Sequence, residues 1–151
     1  MKTDDLYMEK CIELAKMALR NGDPPVGAIL VLNGEIIGKG IEAGKSTGDI
    51  TNHAEILAIR DAVQKGFIAQ LSSAILYSTH EPCIMCSYVI RHHRIPKIIY
   101  GVDVDFVGGF TSHFSVLVTE DIPKWGKKPE VVTGVCENSC NSLNLQFKRV
   151  K

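Results

Sequence analysis

Two short segments carry groups that must meet at one point, and they constrain the fold of this chain more than any other feature. The first is His53-Ala54-Glu55, and the second, some thirty residues later, is Pro82-Cys83-Ile84-Met85-Cys86. A histidine and a Cys-x-x-Cys pair supply three ligands for a tetrahedral zinc ion and leave its fourth position open for water, as in catalytic zinc sites. The sequence therefore predicts a catalytic metal centre that is assembled from two separate turns.

Glu55 is the residue that would convert this metal site into a reaction centre. It follows His53 by two residues, so in the first turn of a helix its carboxylate is offset around the axis and can face the open position. Zinc lowers the pKa of its bound water toward neutrality, and a nearby carboxylate can carry the proton onward to a leaving amine. The expected products are a carbonyl compound and ammonia.

Each segment alone has a simpler explanation. A Cys-x-x-Cys pair also occurs in redox sites and in half of a structural zinc knuckle, and His-x-Glu occurs by chance in many helices. A structural zinc site would need a fourth protein ligand, for which Cys136 and Cys140 are the downstream cysteines. The two segments together, with a proline and a strand-like run before the first cysteine, favour the catalytic interpretation.

Three stretches resemble one known superfamily, namely residues 25–28 (PVGA), 49–56 (DITNHAEI) and 78–86 (STHEPCIMC). They resemble the cytidine deaminase-like superfamily, and within it the branch of bacterial tRNA adenosine deaminases, guanine deaminases and fungal-type cytosine deaminases. The resemblance extends over roughly residues 5–101. It implies a Zn2+-dependent deaminase in which His53, Cys83 and Cys86 hold the metal and Glu55 moves protons.

The same resemblance implies where the substrate binds. Val26 and Ala54 would line the pocket, and an asparagine that contacts the substrate in the family is replaced at the matching place by Glu42. An ionised glutamate only accepts hydrogen bonds, so Glu42 favours a substrate edge with paired N–H groups, as in guanine or a triazine. The alternative is a glutamate at the pocket rim that faces water. Family members are commonly dimers, so we expect a homodimer.

The segment from residue 102 to residue 128 has no clear periodicity, and in the resembled family this region covers the pocket. Phe106 is our candidate for a side chain that stacks on a flat heterocycle, with Phe110 and Trp125 as further candidates. Each of these aromatic residues could instead serve packing.

Apolar periodicity and turn residues predict an α/β fold. The elements expected are helices over 4–20, 53–65, 83–92 and 137–148 and strands over 26–32, 35–40, 74–78, 95–100 and 129–135. Asn33-Gly34 predicts a hairpin between the first two strands, and the later alternation of strands and helices predicts parallel pairing. With the resemblance, this indicates a three-layer α/β/α sandwich around a five-stranded mixed sheet of the cytidine deaminase-like type, formed by a single domain over residues 1–151.

Composition indicates the cellular compartment and the kind of binding partner that we expect. No apolar run is long enough to cross a membrane, and five cysteines, two of them needed as thiolates, favour a reducing compartment, so we expect a cytoplasmic protein. The formal net charge is zero, which does not favour a nucleic-acid partner. Local basic groups do exist, among them Lys148, Arg149 and Lys151 near the C-terminus.

The sequence therefore favours a zinc-dependent aminohydrolase that acts on a small aminated heterocycle, with a guanine-like free base as the preferred substrate. Three alternatives remain open: a tRNA wobble adenosine deaminase, a cytosine, cytidine or dCMP deaminase, and a catalytically silent, zinc-stabilised binding module.

Overall fold

One five-stranded sheet organises residues 2–150, which are the residues that this computed structural model describes. The strands are β1 (Gly27–Leu32), β2 (Glu35–Ile41), β3 (Ile75–His80), β4 (Lys97–Val102) and β5 (Glu130–Val132). Their spatial order is β2-β1-β3-β4-β5. Strand β1 is antiparallel to both of its neighbours, whereas β3, β4 and β5 run parallel to one another. The predicted mixed sheet is confirmed, with its parallel part confined to the last three strands.

Helices cover both faces of the sheet. They are α1 (Thr3–Arg20), α2 (Gly44–Thr47), α3 (Ala54–Gln64), α4 (Ile84–His92) and α5 (Glu137–Val150). Successive residues of a strand point to opposite faces, so Ile29 and Val31 of β1 pack with α1 and α5, whereas Ala28 and Leu30 pack with α3 and α4. The three-layer α/β/α sandwich expected from the sequence is therefore confirmed.

The hairpin between β1 and β2 forms where the sequence predicts it. Asn33 and Gly34 both have positive φ angles, 49° and 82°, which is the backbone conformation of a type I′ turn. Strand β1 is buried on both faces, which explains its unbroken apolar run, and β2 forms the edge of the sheet.

Helix α3 rests directly on the backbone of β2. A Cβ atom on Gly40 would overlap the carbonyl oxygen of Ala54, and one on Gly38 would overlap the carbonyl oxygen of Ala58. The two glycines allow an approach that any larger residue would prevent. The start of α3, which carries His53 and Glu55, is thereby held at a fixed distance from the sheet.

The structure differs from the sequence-based expectation in the connections. Residues 42–52, to which the sequence assigned neither a helix nor a strand, contain the single helical turn α2, and short 3₁₀ helices occupy Ile68–Ser73 and Pro123–Trp125. Strand β5 is shorter than the predicted range of 129–135. Within residues 2–150, no helix combines the length and the apolar character that a membrane crossing requires.

Candidate active site

The three predicted zinc ligands lie at the beginnings of two neighbouring helices. His53 directly precedes α3, Cys83 directly precedes α4, and Cys86 lies in the first turn of α4. The N-terminal end of a helix carries a partial positive charge that favours thiolates and other anions. The segments that meet in the fold are those that the sequence singled out.

The distances between the ligand atoms fit one tetrahedral zinc ion. His53 Nδ1 lies 3.5 Å from the Sγ atom of Cys83 and 3.5 Å from that of Cys86, and the two sulfur atoms are 3.7 Å apart. Tetrahedral zinc, with bonds of about 2.3 Å to sulfur and about 2.0 Å to nitrogen, requires about 3.8 Å and about 3.5 Å for these separations. The donor set and its spacing therefore suit zinc.

No fourth protein ligand completes this cluster among residues 2–150, where the group of histidine, cysteine and carboxylate ligands has three members. Cys140 is fully buried beside Gly101 on the α1 and α5 side of the sheet, and Cys136 lies just before α5. Neither cysteine reaches the metal ligands, so the arrangement leaves one coordination position open, as catalysis requires.

The electrostatics of Cys83 prepare it for metal binding. A hydrogen bond from the Cys86 thiol, supported by the contact with His53, lowers the pKa of Cys83 to about 4. The sulfur is therefore a thiolate at neutral pH, which is the form that binds zinc.

Glu55 lies in the same cavity and is almost completely buried, with 3% of its surface exposed. Burial raises the pKa of Glu55 to about 8, and the negative charge of Cys83 acts in the same direction. A carboxyl group whose pKa is close to neutrality can both release and accept a proton under ordinary conditions, which is the property of a general acid-base catalyst.

The cavity beside the ligands has a volume of about 230 Å³. Its wall consists of residues from both metal-ligand turns, the approach to β1, the end of β3 and the segment after β4, namely Pro24, Val26, Glu42, His53, Glu55, His80, Glu81, Cys83, Val104 and Val107. Two predicted substrate-binding residues, Val26 and Glu42, are thus in the wall. Ala54, which directly follows the ligand His53, is fully buried, and its N–H donates to Glu42 Oε1 at 3.3 Å.

Glu42 is 5% exposed and is held by two backbone groups. Its Oε2 accepts a hydrogen bond from the N–H of Gly44 at 3.0 Å, and its Oε1 accepts the one from Ala54. Burial raises the pKa of this carboxyl above its ordinary value. These contacts do not fit the alternative of a rim glutamate that faces water.

The three candidate stacking residues lie outside the cavity wall. Phe106 is 88% exposed and has a positive φ of 65°, Phe110 packs edge-on against Tyr100, and Trp125 packs against Tyr88 and Arg91. The segment instead contributes Val104 and Val107, which sequence reasoning missed because an isolated valine in an irregular segment carries no distinguishing signal.

Glu81 fixes that segment over the cavity. Its carboxylate accepts four hydrogen bonds, from the N–H groups of Val104, Phe110 and Thr111 and from the Thr111 hydroxyl, at 2.7 to 2.9 Å. We call residues 103–111 the roof loop. Glu81 belongs to the motif over residues 78–86, but the motif alone predicts no role for it. A charged residue two positions before a metal ligand is a signal that could have identified it.

A family model, the cytidine and deoxycytidylate deaminase zinc-binding region, matches residues 1–102 of this chain. The chain belongs to that family. Among curated relatives of this deaminase, the tRNA-specific adenosine deaminase of Bacillus subtilis is 36% identical over 149 residues, which cover 99% of the chain and 91% of the relative.

Two types of enzyme with solved structures are similar to this deaminase in fold and sequence. One, from a study of A-to-I editing by tRNA:A34 deaminases at the wobble position, superposes with a TM-score of 0.82 at 31% identity and covers 91% of the chain and 97% of its own. The guanine deaminase of Bacillus subtilis superposes with a TM-score of 0.63 at 33% identity and covers 68% of the chain and 66% of its own. The chain is therefore a zinc-dependent aminohydrolase of the cytidine deaminase-like fold.

Proposed function

We propose that this deaminase converts adenosine to inosine in tRNA. The observation that carries the proposal is similarity along nearly the whole chain, since the tRNA-specific adenosine deaminase of Bacillus subtilis matches 99% of it. The structure from the wobble-position study covers 91% of the chain, whereas the guanine deaminase covers 68% of it. The proposal thus departs from the guanine-like free base that the sequence favoured.

The reaction replaces the amino group of a purine ring by oxygen. His53, Cys83 and Cys86 would hold the zinc ion, which would make a bound water molecule acidic enough to react near neutral pH. In our proposal Glu55 takes a proton from the attacking water and delivers it to the ring nitrogen beside the reacting carbon, and then moves the remaining hydroxyl proton to the departing amino nitrogen. The carbon–nitrogen bond breaks, the carbonyl forms, and ammonia leaves.

The surrounding residues orient the ring in this scheme. Val26, Val104 and Val107 provide apolar contacts and exclude water, while the N–H of Ala54 holds Glu42 at the pocket wall. We retain Val26, Glu42 and Ala54 as proposed substrate-site residues. Phe106 is 88% exposed and lies outside the cavity wall, so we propose that it contacts nucleotides of the tRNA outside the cavity and not the reacting base.

A second candidate, deamination of a free aminated heterocycle, is favoured by Glu42. A buried carboxylate in the cavity wall accepts hydrogen bonds and, when ionised, donates none, so it selects a substrate edge that carries N–H groups. Within residues 2–150, no lysine or arginine contributes to the cavity wall. Arg91 is buried and donates to the carbonyls of Leu117 and Thr119. Lys151, one of the basic residues near the C-terminus, lies outside the described residues.

Ammonia release by the zinc-loaded protein would separate the two candidates. The substrates are a tRNA stem-loop with adenosine at the wobble position, guanine, adenine, cytosine, their nucleosides, dCMP and ammeline, with Glu55→Ala as the inactive control. Turnover of the stem-loop, with binding that weakens steeply as salt is raised, supports the tRNA proposal. Turnover of a free base, with no activity on the stem-loop, would replace it with the second candidate.

Glu42→Asn gives the same experiment a readout of specificity. If a substrate N–H edge binds Glu42, the asparagine variant should lose about tenfold or more in kcat/KM for guanine or ammeline, because a buried polar group is left mismatched. For the stem-loop, an asparagine that can both donate and accept is expected to maintain or raise kcat/KM.

The assembly and its setting are also proposals. We expect a homodimer, and an apolar groove between α3 and α4 that includes Ile59, Val89 and the exposed Ile68 supports a contact on that side. Light scattering at micromolar concentration tests it, and a strict monomer would contradict it. The five free cysteines, two of them proposed as zinc thiolates, suit a reducing compartment such as the cytoplasm.

A further inference from the structure

His80 is a polar residue of the cavity wall that the reaction described above does not use. It is the last residue of β3, and its two ring nitrogens both have partners in the protein. Nδ1 lies 2.9 Å from the hydroxyl oxygen of Thr79, and Nε2 lies 2.7 Å from Oδ1 of Asn144 in α5.

These partners determine where the imidazole hydrogen resides. The amide oxygen of Asn144 can only accept a hydrogen bond, so Nε2 must carry a hydrogen and donate it. The Thr79 hydroxyl oxygen accepts the N–H of Gly27 at 3.2 Å and lies 2.9 Å from Nδ1. Burial lowers the pKa of His80 and favours the neutral ring, in which Nδ1 carries no hydrogen and accepts that of the Thr79 hydroxyl. The ring is therefore the neutral Nε2–H tautomer, and neither nitrogen is left to bind a substrate.

Because both ring nitrogens of His80 have protein partners, the substrate can contact this flat ring only through its carbon atoms. The other charged or polar side chains of the wall already have roles: Glu42, Glu55 and Glu81 in hydrogen bonding or proton transfer, and His53 and Cys83 as the proposed metal ligands. Aromatic rings stack favourably on one another in offset or edge-to-face arrangements. A flat neutral ring beside three carboxylates suits a planar heterocycle, whatever the rest of the substrate is.

We propose that His80 is a specificity-determining residue whose ring contacts the heterocycle of the substrate, and that Asn144 positions this ring from the C-terminal helix. The inference rests on the proposed function to the extent that the substrate is a flat aminated ring, and it holds for both candidate substrates. In this proposal α5 takes a direct part in forming the pocket, although it lies beyond residues 1–102, which the family model matches.

The tautomer provides a test that needs neither substrate nor activity. Long-range ¹H–¹⁵N spectra of the zinc-loaded protein should show His80 with a protonated Nε2 and an unprotonated Nδ1. Asn144→Ala should alter the Nε2 resonance, whereas Asn138→Ala, an exposed change in the same helix, should leave it unchanged. A ring protonated on Nδ1 at neutral pH would overturn the inference.

Purine riboside is the probe for contact, because it has the heterocycle but no amino group to release. On titration, the Cδ2 and Cε1 protons of His80 should move upfield through the ring current of the purine. Shifts of the Val104 and Val107 amides without any shift of the His80 ring would show that the base lies elsewhere in the cavity, and would refute the contact.

Variant kinetics on the substrate that the wild type turns over complete the test. His80→Ala should raise KM about tenfold with little change in kcat, whereas His80→Phe, which keeps a flat ring, should stay within about threefold. A His80→Phe variant as impaired as His80→Ala would contradict the inference. A wild type that is inactive on every substrate would count against the proposed function alone, since the tautomer and the purine contact are measured separately.

Discussion

Glu81 accepts two hydrogen bonds from Thr111, one from the backbone N–H and one from the hydroxyl, both at 2.7 Å. Glu81 lies two residues before the zinc ligand Cys83, so the same short turn that carries the metal also holds the roof loop. Adjacent backbone contacts strengthen the link, because Gly108 pairs with Cys83 and the N–H of Gly109 donates to Pro82. The metal site and the cover of the pocket therefore form one structural unit.

Glu81→Gln should destabilise this unit. The carboxylate is 1% exposed and meets four donors, so replacing one oxygen with an NH₂ group leaves donors facing each other. We expect a loss of about 3 kcal/mol in the free energy of unfolding, measured by urea titration, together with a raised KM.

Glu35→Gln is the matched control for that change, since Glu35 is exposed on the edge strand β2. It should alter the unfolding free energy by less than about 0.5 kcal/mol. Equal urea midpoints for the Glu81 and Glu35 variants would show that the buried hydrogen bonds do not hold the roof loop.

Removing one ligand should remove the metal. Cys83→Ala leaves two protein ligands, so we expect the zinc content, measured by mass spectrometry of the purified protein, to fall well below one per chain and activity to disappear. Cys136→Ala changes a cysteine outside the cluster and should keep the full zinc content. A similar zinc loss in both variants would contradict the assigned ligand set.

Glu55→Gln should separate metal binding from catalysis. The amide preserves the size of the side chain but cannot accept and release a proton, so kcat should fall by about 10²- to 10⁴-fold while KM changes little. Zinc content should match that of the wild type. Activity within about tenfold of the wild type would mean that another group transfers the proton.

The pH dependence of stability should contain a contribution from His80. Burial lowers the pKa of His80 below its ordinary value, with the Asn144 hydrogen bond acting in the opposite direction. Unfolding therefore leads to proton uptake, and the free energy of unfolding should decrease as the pH falls through about 6.5, the pKa of an unfolded histidine. Above that pH the contribution is fully present.

His80→Phe should make the free energy of unfolding less sensitive to pH between about pH 7.5 and about pH 5.5 than in the wild type. Urea titrations at several pH values measure this, and His92→Phe, an exposed change in α4, is the control. If the wild type and the His80 variant lose stability in parallel, the buried neutral histidine makes no contribution.

The metal site could be predicted from the sequence because its ligands are adjacent to helix starts that local patterns identify. The contacts that shape the pocket could not be predicted in this way. His80 and Asn144 are 64 residues apart, and three of the four donors to Glu81 are backbone N–H groups of residues 23 to 30 positions later. Every non-proline residue has such an N–H group, so nothing in the sequence indicates which of them a buried carboxylate binds.

The aromatic residues show that a suitable residue type does not by itself predict a contact with the substrate. Phe106, Phe110 and Trp125 are chemically suited to stacking on a base, yet tertiary packing directs Trp125 to Arg91 and leaves Phe106 at the surface. Glu42 does lie in the cavity wall, because the comparison with a family position carried spatial information that residue type alone lacks, and its contact with the substrate stays a prediction.

The direct contact of α3 with Gly38 and Gly40 divides the molecule into parts that tolerate change differently. Side chains at an interface can repack after a substitution, whereas two touching backbones have no such freedom. Variation that retargets this enzyme should therefore accumulate in the roof loop and α5, which shape the pocket from outside. The packing of β2 against α3 should remain unchanged. A designer who seeks a new substrate can therefore exchange the roof loop and α5 and keep β2 and α3 as the rigid support of the metal site.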